Sequence, residues 1–460
     1  MRKLILPALM LPCLAMAQYK DDSIFIKKIS DEIFVNGKAY DQLRDLTKNI
    51  GGRLAGSPQF AKAVQWGKAT MEKTGADKIY LQECMVPHWV RGSGDNVSII
   101  QVGAKNNIRP LDILSLGNSV GSVEASGVKG VTAEVLAVAD FAELEKRKDE
   151  VKGKIVYYNF GFNPTYIVPG RAYGESGTYR RAGASRAAKY GAVGIMIRSL
   201  TGSTDNNPHT GSMVYNDSFP KIPAVALGLK DADLVYELSK QSAVRVTMVT
   251  HGKMLPDTIG HNVIAELTGS EFPNQYITIG GHLDSWDINE GAHDDGTGVV
   301  QTIEVLRVLR ALGYRPKHSI RFVLFANEEN GTKGALKYAA EAKAKNEEHI
   351  FALETDEGGF TPRGFSFNMD EAKLKKVQTW ASLLQPYGAD ELEAGGGGTD
   401  VEPLARTFKT PVSALRPDNQ RYFDIHHSRG DVFEAVNKRE LLLGAVNIAA
   451  LIYLVDKYGL

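Results

Sequence analysis

Apolar residues recur at two spacings along this chain, and the change of spacing divides it into three regions. From Asp22 to about Ala76, Leu43, Leu46, Ile50, Ala61, Ala63 and Trp66 fall at helical intervals. The stretch Gly51-Gly52-Arg53-Leu54-Ala55-Gly56-Ser57-Pro58 interrupts them as a loop, and Ser57-Pro58 opens the next helix. From about Gly117 to Gly252 the texture turns to short β-prone runs, such as 155–160 and 244–249. A helix is expected over 181–190, before the strand-like Gly191-Ala192-Val193-Gly194-Ile195-Met196-Ile197. From Thr258 onward strands and helices alternate. Strands are expected at 276–279, 320–325, 350–353 and 412–415, and helices at 299–312, 334–345, 371–384 and 439–458. This alternation predicts an α/β fold, a mostly parallel sheet flanked by helices on both faces, carrying an inserted β-rich module. The expected divisions are 22–116 and 253–460 for the main domain, and 117–252 for the insert.

Composition narrows the classes. The chain has 460 residues, 43% hydrophobic and 23% charged, which describes an ordinary globular protein with an ample core. Lys plus Arg equals Asp plus Glu at 54 each, so the electrostatic footprint of a nucleic-acid binder is absent. No internal stretch reads as a bilayer span. Arg2 and Lys3, the apolar run 4–16 and Ala15-Met16-Ala17 read as a secretory signal peptide over 1–17, implying a secreted or periplasmic protein. Cys13 would leave with it. Cys84 would then be the one remaining cysteine, which excludes an intramolecular disulfide.

Ligands of such sheets collect at the carboxyl ends of strands, and that rule selects the chemistry. His282 ends the first strand of the last region, with Asp284 two residues on to accept the other ring N–H. Asp294 lies in the loop before the helix near Val299, where two carboxylate oxygens can serve two metal ions. Glu328-Glu329 follows the next strand. Adjacent carboxylates repel, and a metal on one leaves the other as a general base. Asp356 follows the third, and His426-His427 lies far downstream. His293 is intermediate, being next to Asp294, whereas the other histidines read as structural or surface residues. A donor set of imidazoles and carboxylates suits zinc, cobalt or manganese better than copper or iron–sulfur.

In these residues the chain resembles the co-catalytic zinc exopeptidase family that includes bacterial leucyl aminopeptidases and carboxypeptidase Q. The resemblance rests on Gly281-His282-Leu283-Asp284-Ser285, Asp294-Asp295-Gly296-Thr297-Gly298, Glu328-Glu329 and His427-Ser428-x-x-Asp431. Arg53 to Pro58, Pro208-His209-Thr210-Gly211, Lys221 to Val225 and Gly397-Gly398-Thr399-Asp400 also match. It implies two zinc ions bridged by Asp294, one completed by His282 and Asp356, the other by Glu329 and His427. It implies Glu328 as general base, Asp284 as the residue orienting His282, and a cis bond between Asp294 and Asp295. It further implies that the insert is a protease-associated domain, that the substrate is a small peptide, and that the protein is a homodimer. Tyr422, His426 and Arg416 are candidate substrate contacts, with Arg421 an alternative to Arg416. The departures are Asn327 before the glutamate pair and Asn330-Gly331-Thr332-Lys333-Gly334 after it. An aminoacylase-type hydrolase shares the ligand order but places its lid domain after the Glu-Glu strand. A glutaminyl cyclase relative would not need the full two-metal set. A metal-free, receptor-like relative would not retain Glu328.

Overall fold

A computed structural model of the chain describes residues 19–123 and 130–460. The expected signal segment, with Cys13, lies outside the described residues. Cys84 is buried and unpaired among the described residues.

Two eight-stranded sheets organise the molecule. The first runs in the order Lys78–Val90, Lys253–Leu267, His318–Phe325, Phe272–His282, Glu348–Glu354, Val412–Pro417, Pro362–Asn368 and Glu391–Ala394. Its centre, from His318–Phe325 to Val412–Pro417, is parallel. Three pairings are antiparallel: the long pair Lys78–Val90 with Lys253–Leu267, the join of that pair to the centre, and Pro362–Asn368 on Val412–Pro417. The sheet is therefore mixed, with a parallel core and antiparallel flanks. His318–Phe325 is buried at every position and shows no alternation, as expected of a strand covered on both faces.

Helices cover both faces. Ser57 caps Pro58–Glu72, accepting the Phe60 N–H, and Pro58 occupies the first turn as the sequence predicts. The helix expected over 371–384 breaks into Glu371–Gln378 and Ala381–Leu384. Lys438–Tyr458 has the length and apolar character of a membrane span, contrary to the reading that no stretch does. It is a core helix, buried along most of its length and packed against Thr297–Ala311.

The second sheet runs Lys105–Leu111, Asn96–Val102, Val244–Val249, Val131–Val138, Ile155–Tyr158, Gly194–Arg198, Ala224–Leu227 and Ile113–Ser115. It begins at Asn96 rather than near Gly117. The strand Lys105–Leu111 is a solvent-facing edge, exposed at all but its last residue, and carries no apolar alternation to reveal it. Its helix Pro169–Ala188 is 20 residues long, twice the span read from the sequence.

Candidate functional site

His282 is the last residue of Phe272–His282, and its ring is fully buried. The His282 backbone N–H donates to Asp295 Oδ2 at 2.9 Å, and the Gly298 N–H donates to Asp295 Oδ1 at 2.9 Å. One carboxylate thus ties the strand end to the start of Thr297–Ala311. Gly298 is required there because a Cβ would lie 1.9 Å from the Thr355 carbonyl oxygen. The Asp294–Asp295 bond is cis. The N–H groups of His293 and Asp294 donate to the two oxygens of Asp431, at 2.7 and 3.2 Å. Beneath this loop lies Arg53, fully buried, donating to the carbonyls of Leu283 (2.6 Å), Glu290 (2.8 Å) and Gly291 (3.0 Å). That gives Arg53, at the start of the early Arg53–Pro58 motif, a physical role: it holds the loop that presents Asp294.

Asp294 stands between two histidines. Its Oδ1 is 3.2 Å from His282 Nε2, and its Oδ2 is 3.2 Å from His427 Nε2. His282 Nε2 also approaches Asp356 Oδ1 at 3.2 Å, and His427 Nε2 approaches Glu329 Oε2 at 3.1 Å. Glu329 Oε1 and Asp294 Oδ2 are buried without a hydrogen-bond donor among the described residues. Burial pushes Glu329 up to about 8, reinforced by Asp294 and partly offset by His427. Burial likewise pushes Glu328 up to about 7, with His282 opposing and Asp356, Asp294 and Asp284 adding to the shift.

Asp284 differs from the expectation. The atom facing His282 Nδ1, at 2.9 Å, is its backbone carbonyl, while its carboxylate is 3.8 Å from that nitrogen. The carboxylate accepts instead from the backbone N–H groups of Glu328 (3.0 Å) and Glu329 (3.4 Å), fixing the turn that carries both. Asn327, just before them, has φ of 66°, a conformation that asparagine tolerates better than most residues. Asn330 donates to Asn118 of the second sheet's unit at 3.1 Å, so this departure joins the two units, while Asn327 donates to Asn330.

A cleft of about 570 Å³ opens over these groups, lined by Asp294, Glu328, Glu329, Asp356, Tyr422 and His426 among others. The His426 and His427 rings stack at 3.6 Å, and His426 Nε2 lies 3.4 Å from Asp294 Oδ2. Arg416 does not line the cleft. It pairs with Glu393 at 2.5 Å in a separate depression, because its strand position directs it along the sheet's edge pair. Arg421 is likewise no lining residue; it lies over the Phe360 ring. His293 is structural: it stacks on Phe360 at 4.3 Å and accepts the Gly359 N–H, and burial lowers it to about 4. Tyr173 and Arg180, which no motif marks, enter the cleft from Pro169–Ala188.

The donor set fits a metal. Tetrahedral ligands at zinc–nitrogen and zinc–oxygen bonds of about 2.0–2.2 Å lie roughly 3.3–3.6 Å apart, close to the spacings within each cluster. His282, Asp294 and Asp356 form one such cluster, and Asp294, His426 and His427 another. Cations would also offset the mutual repulsion of the four carboxylates Asp294, Glu328, Glu329 and Asp356, two of them buried.

Comparison with known proteins adds the following. The model of peptidase family M28 matches residues 262–452. Human carboxypeptidase Q is 35% identical over 438 residues, which cover 94% of this chain and 88% of that protein. The crystal structure of a peptidase M28 precursor from Shewanella amazonensis is 30% identical, with a TM-score of 0.88 over 95% of this chain and 97% of that one. A zinc aminopeptidase from Bacillus subtilis, 21% identical, shares the fold, with a TM-score of 0.64 over 90% of this chain and 93% of that one.

Proposed function

From a chain that belongs to peptidase family M28 and is a zinc metallopeptidase, we propose a secreted di-zinc exopeptidase that hydrolyses dipeptides or removes N-terminal residues. The observation that carries this reading is Asp294, whose two oxygens each face a different histidine at 3.2 Å. His282 and Asp356 would hold one ion with Asp294, and Glu329 and His427 the other. Bound zinc supplies Lewis acidity toward the scissile carbonyl and lowers the pKa of water.

The chain's own groups do the rest. Glu328 lines the cleft, and no hydrogen bond or ion pair engages its carboxylate among the described residues. It takes a proton from the attacking water and returns it to the leaving amine. Asp284 holds the Glu328–Glu329 backbone, so the base and a metal ligand share one rigid turn. Tyr422 lines the same cleft and offers a hydroxyl to the developing oxyanion. His426 is a second substrate contact. The second sheet's unit, read as a protease-associated domain inserted in the catalytic one, forms the facing wall through Asn118, Tyr173 and Arg180.

The test is metal analysis with turnover of dipeptides and aminoacyl anilides. Two zinc ions per chain and chelator-sensitive, zinc-restored hydrolysis at chain ends are expected. A metal-loaded protein that cleaves neither substrate would overturn the reading.

A further inference from the structure

His427 is gripped from the other unit. Its carbonyl accepts the Thr210 N–H at 2.9 Å, and its Nδ1 faces the Thr210 carbonyl at 3.3 Å. One residue thus holds both the backbone and the ring of His427, whose φ of 59° is unusual for a non-glycine residue. With a metal ion on Nε2, which faces Asp294 and Glu329, the neutral ring would carry its proton on Nδ1, directed at the Thr210 carbonyl. The Thr210 carbonyl is itself held by Arg180. The guanidinium Nη1 donates to it at 3.4 Å, donates to the Tyr173 hydroxyl at 2.7 Å, and lies 3.4 Å from His427 Nδ1. Arg180 is buried, and its Nε has no acceptor among the described residues. Gly211 makes this approach feasible, since a Cβ there would lie 2.2 Å from Arg180 Nη1. Tyr173 also meets the His427 ring edge-on, at 6.5 Å.

We infer that Arg180 and Thr210, from the second sheet's unit, are the positioning residues of the metal site that His427 completes. This rests on the two-ion reading above. A metal-ligating histidine donates its other ring N–H to a fixed acceptor, which sets the ring's orientation. For His282 that acceptor is the Asp284 carbonyl, within the same unit; for His427 it is Thr210, outside it. The two sites therefore depend on different parts of the chain. Loosening Arg180 frees the Thr210 carbonyl and should weaken one site while sparing the other.

The experiment is a chelator-competition titration of the metal-free full chain with Zn²⁺, comparing wild type with Arg180→Met and Tyr173→Phe, alongside metal-free melting temperatures. Wild type should bind two ions. Arg180→Met should weaken one of them by about 10–100-fold, the usual effect of losing such a partner, and leave the other within about twofold. Tyr173→Phe, which keeps the fold but removes one acceptor of Arg180, should move the same ion in the same direction by less. Equal weakening of both ions, or a lower melting temperature with both affinities intact, would mean a merely structural arginine and overturn the inference. A single ion in wild type would sink the two-ion reading separately; the inference then fails if Arg180→Met leaves that ion's affinity unchanged.

Discussion

Replacing Glu328 by Gln separates the base from the metal site more cleanly than any other single change. The side chain keeps its volume and loses only its charge. Its backbone N–H remains bonded to Asp284, and its carboxylate has no hydrogen bond or ion pair to lose among the described residues. Neither His282 nor His427 is paired with it: His282 meets Asp294 and Asp356, and His427 meets Asp294 and Glu329. Folding and zinc content should therefore stay as in wild type. The substitution also removes one of several neighbouring carboxylates, whose mutual repulsion pushes Glu328 up, and this slightly favours the folded chain. Loss of a general base costs about 10²–10⁴ in rate, or roughly 3–5 kcal/mol in activation free energy at about 1.4 kcal/mol per tenfold. The expected result is kcat reduced by that factor with KM within about threefold, measured on a dipeptide and an aminoacyl anilide, with metal analysed on the same sample. Glu328→Gln retaining more than about a tenth of wild-type kcat would refute the assignment. A variant that is inactive because it has lost zinc would refute it too, by making Glu328 a ligand.

The other predictions test the supports of the site and the fold. Arg53→Met removes the donor to the Leu283 and Glu290 carbonyls, leaves the Gly291 carbonyl with the Gly296 N–H alone, and strips Asp431 of its nearby cation; a loss of about 3–5 kcal/mol should appear in urea unfolding. Asp284→Ala frees the Glu328–Glu329 turn, so kcat should fall about 10–100-fold while the His282 ring keeps its acceptor, the residue's backbone carbonyl. Ser57→Ala removes the cap on Phe60 N and should cost about 1 kcal/mol in thermal unfolding, with activity unchanged. Asp22 accepts from the hydroxyls of Tyr453 (2.7 Å) and Tyr458 (2.6 Å) and from Lys457 (2.5 Å). Burial would raise its pKa, but these partners outweigh burial and hold it below the ordinary value. A depressed folded pKa adds stability above the unfolded value of about 3.9 and loses it as pH falls through the folded one. The melting temperature of wild type should therefore drop more steeply below about pH 4 than that of Asp22→Asn; parallel curves would show that Asp22 contributes no such term.

What could be read in the sequence and what could not divide along a physical line. His282, Glu328-Glu329 and Asp356 follow strands whose apolar runs are plain in the chain. The parallel centre of the sheet brings those three ends to one edge whatever the side chains around them do. Asp294 and His427 lie in loops, and only a motif singles them out. The groups that hold the ligands were hidden for a different reason. Pro169–Ala188 contains Gly170, Gly174, Gly177 and Gly183, a composition that reads as loop. Yet Gly183 lets the helix lie against Tyr158, where a Cβ would be 3.0 Å from the ring. Arg53 and Arg180 are both buried, although an arginine in a sequence is expected at the surface. Each is kept inside by oxygen acceptors that distant parts of the chain supply: backbone carbonyls from 283–291 for Arg53, and the Thr210 carbonyl with the Tyr173 hydroxyl for Arg180. A carbonyl is present at every residue and leaves no mark in the sequence. The chemistry of the site is thus written in side-chain identity at strand ends, whereas its rigidity is written in backbone acceptors that become specific only once the two sheets have packed.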